Sequence, residues 1–357
     1  MININSTKKN ILQVIFLITL VVMTTYLVFN SLDINLLSQV IKIIDYKYIV
    51  LGFGLMILYI ALEGHITNLI IKSISGSTKK SLGYKIGIIG LFYNLVTPMA
   101  SGSQPMQIYE LSKSKVPVSK GSAVVVNKTI VFQVTVTLYC AILMIFNIDI
   151  LQTQLKSVFL FIVLGMVMNI IMLSFGFFIV YNPVITKNIV TNILNLLTRF
   201  KYLQFLDSKR KDIYNFIDEY NYSVKLFIKD RKTLNKSLFF TFIQLTVYFS
   251  VAYCISKALN LTGSSYLYIL SLQVFLYMAV SSMPTPGNVG ANEIAFFTIF
   301  AGVFPKTLLG YSVLLYGVFV YYFLLVCCGL FTILNQSKVK CKLNSYFVKL
   351  YKPSVNI

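Results

Sequence analysis

The sequence contains no tryptophan, one histidine, five cysteines and only 11 acidic residues among its 357. Without tryptophan, tyrosine must supply most of the aromatic anchoring at a membrane surface. The cysteines show no metal-ligand spacing, and Glu63 and His65, two positions apart on a helix, point to different faces and form no obvious dyad. A Gly-x-x-x-x-Gly-Lys-Ser/Thr phosphate loop is also missing, which argues against direct use of ATP. We therefore expect no metal ion and no cofactor.

Apolar residues are abundant instead. They make up 57% of the chain, charged residues make up 12%, and the mean hydropathy is +0.77. These values are far outside those of soluble domains. The sequence therefore predicts an all-α polytopic membrane protein.

About six segments have the roughly 20 mainly apolar residues that a spanning helix needs. They are residues 11–30, 48–71, 122–146, 157–181, 237–259 and 307–335. The first follows Lys8 and Lys9 and is too long for a cleaved secretory signal, so we expect it to be retained as a helix.

The net charge of +20 follows the predicted topology. With a cytoplasmic N-terminus and six alternating spans, most Lys and Arg residues fall in cytoplasmic segments, as the positive-inside rule requires. The exceptions are Lys128, inside a span, and five external residues: Lys42, Lys47, Lys156, Lys257 and Lys306. Topology thus explains the basic character, and direct tRNA or DNA binding is not expected. Both termini are predicted to be cytoplasmic.

Two further apolar segments, residues 82–111 and 266–304, are interrupted by motifs rich in Pro and Gly, at 94–105 and 283–293. Broken helices at membrane depth survive only when they are buried in protein or face a watery cavity. A matched pair of such breaks indicates a transporter-like binding site near the midplane. The turns of these predicted hairpins contain Pro98, Pro105, Pro284, Pro286, Gly287 and Gly290.

The flanking charges place both ends of the first hairpin inside and both ends of the second outside. Each half then reads as span, re-entrant hairpin, span, with inverted directions, as in inverted-repeat transporters. The arms of the second hairpin are also long enough to cross the membrane fully, and this alternative stays open.

The pattern predicts five regions. They are an N-terminal helix and external loop (1–47), a first membrane half (48–181), a cytoplasmic amphipathic connector (182–236), a second membrane half (237–335) and a basic cytoplasmic tail (336–357). The connector has apolar residues at helical spacing in 184–200 and again in 207–232. It is either a helical link between the halves or a surface for lipids or a partner.

The two motifs together resemble the lysylphosphatidylglycerol synthase transmembrane region, also called the flippase-like family. The resemblance covers most of the chain and rests on Asn94, Thr97, Pro98, Ser101, Gly102, Pro105, Tyr109, Leu111, Ala123 and Lys128, then Pro284, Pro286, Gly287, Gly290 and Glu293. Ser103 and Asn288 stand where the family often has glycine.

The resemblance implies a multi-pass protein of the bacterial cytoplasmic membrane that handles or translocates a polar lipid, such as an anionic or aminoacylated phospholipid. Full-length synthases carry a soluble domain that transfers lysine from lysyl-tRNA to phosphatidylglycerol, and the 22 residues after Asn335 are too few to hold one. A catalytic role is therefore not expected from these residues. The alternative is phosphatidylglycerol lysyltransferase activity, with its link to lipid metabolism and to resistance against cationic antimicrobial peptides. It would operate alone or with a separate soluble acyltransferase partner.

Ionisable residues inside predicted spans are costly and suggest function. Lys128 is placed to pair with Glu63 or with Glu110, in a structural or a substrate-contacting role. Glu293 either caps the helix after the second turn or contacts a cationic headgroup.

We hypothesise a site in which Lys128 holds a lipid phosphate, and Glu293 or Glu63 holds an aminoacyl ammonium. Hydroxyl, amide and backbone donors for the phosphate would come from the first motif, and Gly287 and Gly290 would permit close backbone approach. The first-motif residues are Ser101, Gly102, Ser103 and Gln104.

Overall fold

The computed structural model describes residues 40–76, 80–97, 100–181, 183–199, 207, 210–281, 283, 285 and 287–335. Within these residues every regular element is a helix, which confirms the predicted all-α class. The predicted span at 11–30 and the basic tail at 336–357 lie outside the described residues, as do Pro98, Pro284 and Pro286.

The described helices follow one another along the chain in this order. They are α1 Tyr46–Ser75, α2 Lys80–Val96, α3 Ser103–Lys113, α4 Val118–Phe146, α5 Ile148–Thr153, α6 Phe159–Tyr181, α7 Pro183–Leu197, α8 Arg210–Lys229, α9 Arg231–Phe249, α10 Val251–Ala258, α11 Tyr266–Val280, α12 Ala291–Ile299 and α13 Lys306–Gly317, which continues through a π-helical turn at Val318–Phe323.

Four helical stretches of the described residues are long and apolar enough to cross a membrane. They are Tyr46–Ser75, Val118–Phe146, Arg231–Ala258 and Lys306–Asn335. The first begins after Asp45, whose carboxylate accepts the Lys47 N–H, and ends at Gly76, whose φ of 66° is the left-handed conformation that suits glycine. Four of the six predicted spans therefore have a matching helix. The predicted span at 157–181 corresponds to α6, which is apolar along its 23 residues.

Both interrupted segments form helical hairpins. α2 and α3 make the first hairpin, and α11 and α12 make the second. The arms of the second have 15 and 9 residues, so at 1.5 Å per residue they rise about 22 Å and about 14 Å. A hydrocarbon core is about 30 Å thick. Each of these two helices alone is therefore shorter than the hydrocarbon core.

Glycines let α1 and α2 pack closely. A Cβ added to Gly83 would lie 2.4 Å from Asn68 Cα, and one added to Gly87 would lie 3.1 Å from the Gly64 backbone. Small residues at such interfaces allow the backbones of membrane helices to approach. This contact fixes the first arm of the first hairpin against α1.

The connector contains α7 and α8, which bind each other through polar contacts. Lys187 Nζ lies 2.6 Å from Asp218 Oδ1, and the hydroxyls of Thr191 and Tyr214 lie 2.8 Å apart. α8 buries Val224 and Phe227 in an apolar cluster that α1, α2 and α4 share. α7 instead leaves apolar side chains exposed, at Ile189, Ile193 and Leu196. An exposed apolar stripe of this kind is typical of a helix that lies on a membrane surface.

Candidate functional site

A cavity of about 610 Å³ lies between the two hairpin tips. Its lining comes from α1, α2, α4, α6, α9, α11, both tips and the last span. The hairpins thus bring together two motifs that are nearly 200 positions apart in the sequence. The hypothesis drawn from the sequence likewise places both motifs at one site.

The first tip is held by the side chain of Thr97. Its hydroxyl donates to Tyr93 O (2.6 Å) and accepts the N–H of Gly102 (3.0 Å). Gly102 is required here because a Cβ would lie 2.5 Å from Thr97 Cγ2. Pro105 falls in the first turn of α3, where a missing N–H costs no helical hydrogen bond. The Thr97 hydroxyl therefore links the end of α2 to the residue before α3.

The predicted donors of the first motif lie in two places, the cavity wall and the turn. Ser101, Ser103 and Gln104 line the cavity, whereas Gly102 supports the turn behind it. Ser103 is the first residue of α3 and has a helical conformation, so this position does not require glycine. Gln107, one turn later on α3, is buried and also lines the cavity.

The second tip turns through three residues with positive φ: Gly287 (58°), Asn288 (56°) and Gly290 (85°). A Cβ on Gly287 would lie 2.6 Å from Tyr321 Cε2 and 3.2 Å from Leu95 O, so this glycine touches both the last span and the first tip. Asparagine tolerates the left-handed region better than most residues. Asn288 can therefore stand where the family often has glycine.

Glu293 caps α12. Its Oε2 accepts the Gly290 N–H at 2.6 Å, and a carboxylate at a helix N-terminus is further favoured by the helix dipole. Glu293 is not among the described residues that line the cavity. Glu293 therefore forms the helix cap, one of the two roles that the sequence left open, and its contact with a headgroup stays a prediction.

An ion pair lies in the cavity wall. The Lys128 ammonium of α4 contacts the Glu63 carboxylate of α1, and Gln244 Nε2 of α9 donates to Glu63 Oε2 at 2.9 Å. The side chains of Lys128 and Glu63 are only 15% and 9% exposed. Three helices thus meet at one buried carboxylate, and of the two predicted partners Lys128 pairs with Glu63.

Glu110 has other partners. Its carboxylate lies 2.8 Å from Lys85 Nζ and 3.3 Å from Lys113 Nζ, which joins the base of α3 to α2. The His65 ring packs edge-on against Phe240, with ring centroids 4.7 Å apart. His65 and Glu63 thus have different neighbours, as their spacing on a helix predicts.

Several lining residues were not predicted from the sequence. Tyr59, Tyr248 and Tyr277 form an aromatic wall, with ring centroids 5.4 Å and 6.3 Å apart along the series. Asn169 Nδ2 of α6, also in the lining, donates to Ser281 Oγ at 3.2 Å. Gln244 and Asn169 are polar residues within predicted spans, and this feature could have identified them from the sequence.

The chemistry of this wall suits a polar group that carries both charges. Lys128 offers three donors to an anion, Glu63 offers acceptors to a cation, and the serines, amides and tyrosines offer neutral hydrogen bonds. Within the described part of the chain, no cluster of three or more His, Cys, Asp and Glu is arranged to hold a metal ion.

The fold and the cavity define a class: a polytopic helical membrane protein whose polar site lies between two helical hairpins. The chain matches the family described as the lysylphosphatidylglycerol synthase TM region over residues 10–328. It belongs to that family, which confirms the resemblance seen in the motifs. No curated protein and no solved structure gave a significant match.

Proposed function

We propose that this protein binds the polar headgroup of a phospholipid in the cavity and translocates it across the bacterial cytoplasmic membrane. The observation that carries the proposal is the Glu63–Lys128 ion pair in a cavity that both motif-bearing tips enclose. An ionisable pair inside a membrane protein marks a substrate path by default.

The charges favour a headgroup of the lysylphosphatidylglycerol type. Its phosphate would take Lys128 as partner, and its ammonium groups would take Glu63, so each buried charge exchanges one partner for another. Uncompensated burial of either charge would be strongly unfavourable. A zwitterionic or aminoacylated headgroup keeps both charges paired during binding.

The hairpins provide the route. By the positive-inside rule the first hairpin starts and ends on the cytoplasmic side and the second on the external side. The site where they meet would open to each side in turn as the two halves move, as in other inverted-repeat transporters. In this proposal both termini are cytoplasmic.

The family description favours a second candidate, a part in the synthesis of aminoacyl-phosphatidylglycerol. Expression in a bacterium that makes phosphatidylglycerol but no aminoacylated form separates the two. After insertion is verified, mass spectrometry of the lipid extract is expected to show no new aminoacyl lipid. Its appearance would support synthesis, alone or with a host acyltransferase.

The same strain then tests translocation. We expect lysylphosphatidylglycerol supplied by a separate synthase domain to reach the outer leaflet only when this protein is present, as measured by labelling of exposed amines. Equal labelling with and without the protein would contradict the proposal.

A further inference from the structure

The cavity has one open side. Among the described residues that line it, six are exposed: Ala100, Ser101, Gln104, Thr129, Met168 and Met172. All six belong to the first hairpin, α4 or α6. The lining residues that α1, α9, α11 and the second tip contribute are buried or half-buried. The opening therefore lies between α4 and α6, beside the first tip.

A polar bridge closes one end of this opening. Gln133 of α4 donates to Asn169 Oδ1 of α6, and Asn169 Nδ2 donates in turn to Ser281 Oγ. α4 and α6 are joined by the short α5 and run antiparallel. Thr129 lies one turn before Gln133, and Met172 lies about one turn after Asn169. Both exposed residues are therefore on the same side of the bridge, where the gap is open.

The opening changes from polar to apolar over a short distance. Lys128 and Glu63 lie inside, Phe132 is half-buried beside them, and Met168 and Met172 at the rim are 49% and 65% exposed. This order matches a phospholipid whose headgroup is inside and whose chains point out. Methionine side chains are flexible and adapt to varied apolar shapes.

We propose that the acyl chains of the bound lipid leave the cavity between α4 and α6, across Met168 and Met172. The proposal rests on the function proposed above, since it takes a lipid as the ligand. It assigns a chain-binding subsite to a surface of α6, and it makes the gap the route by which lipid enters sideways from one leaflet.

The absence of tryptophan from the chain permits a direct test. Met172→Trp and Ile171→Trp each create a single fluorescent reporter at neighbouring positions of α6. Met172 lines the cavity, whereas Ile171, 54% exposed, is not among the lining residues described. Each purified full-length variant is reconstituted in vesicles of uncharged digalactosyldiacylglycerol. Lysylphosphatidylglycerol or the galactolipid, each with brominated chains, is then added at equal low mole fraction, and quenching is measured.

For Met172→Trp we expect quenching that corresponds to about tenfold local enrichment of lysylphosphatidylglycerol over the galactolipid, the effect of one charge-assisted headgroup contact. For Ile171→Trp the two lipids should quench equally. Adding Glu63→Gln and Lys128→Met to Met172→Trp should remove the enrichment, because the headgroup loses its charged partner.

Equal quenching of Met172→Trp by both lipids would overturn the proposal. So would an equal preference at Ile171→Trp, since that would reflect general attraction of the charged lipid to the protein surface. A protein that shows the enrichment but translocates no lipid would keep the subsite and refute the transport function. Failure of the subsite is thus distinguishable from failure of the function.

Discussion

Neutralising the Glu63–Lys128 pair one residue at a time, and then together, separates its structural role from its binding role. Lys128→Met leaves the Glu63 carboxylate 9% exposed, with the Gln244 amide as its one remaining hydrogen-bond donor among the described contacts. Breaking a buried pair in this way costs about 3–5 kcal/mol. The cavity admits some water, so we expect the lower end, about 3 kcal/mol.

The double change Glu63→Gln with Lys128→Met removes both charges and nearly preserves their volumes. The new glutamine can still bond Gln244, so stability should return to within about 1 kcal/mol of the wild type. The measurement is thermal unfolding of the purified protein in detergent. The expected order of melting temperatures is wild type, close to the double variant, and then Lys128→Met several degrees lower.

Lipid translocation should follow a different order. A charge-assisted hydrogen bond contributes about 1.5–3 kcal/mol, and each 1.4 kcal/mol is about tenfold. Both Lys128→Met and the double variant should therefore translocate aminoacylated phospholipid at least about tenfold more slowly. A stable double variant with the wild-type rate would refute the assigned role of the pair. A Lys128→Met protein as stable as the wild type would refute its structural cost.

Two further substitutions test the packing and the cap. Gly83→Ala should destabilise the protein by about 1–3 kcal/mol, because its Cβ would meet the Asn68 backbone at 2.4 Å, whereas Gly54→Ala, with nothing within 4 Å, should be neutral or stabilising in the same thermal assay. Glu293→Ala should lose about 1 kcal/mol with the Gly290 cap, while Glu293→Gln keeps an acceptor and should lose less. Equal melting temperatures within either pair would contradict the packing or the cap.

The helical hairpins could be predicted from the sequence because motifs rich in Pro and Gly, at 94–105 and 283–293, interrupt two otherwise apolar segments. The ionisable residues of the cavity could also be found, since a charge inside a span is conspicuous. The choice between the Glu63 and Glu110 partners of Lys128 could not be made, because it depends on which faces of α1, α3 and α4 meet.

Other features needed the packing of distant helices. Gln244 bonds Glu63 across 181 positions, and no local pattern relates them. Asn169 lies in α6, which is otherwise almost entirely apolar, and a single amide there hardly changes the hydrophobic pattern of the sequence. Glu293 comes three residues after Gly290, a spacing that permits a helix cap. Its hydrogen bond to the Gly290 N–H could be identified only from the structure.

In the proposed function, the cavity between the two hairpins carries a lipid headgroup across the membrane. The most direct measurement uses vesicles with and without the purified protein, and lysylphosphatidylglycerol with a fluorophore on one acyl chain. A membrane-impermeant amine reagent added outside reports the fraction of headgroups in the outer leaflet over time. We predict that lipid confined to the inner leaflet becomes fully accessible with the wild-type protein and stays protected with the Glu63→Gln, Lys128→Met variant. Equal protection in wild-type and empty vesicles would contradict the account.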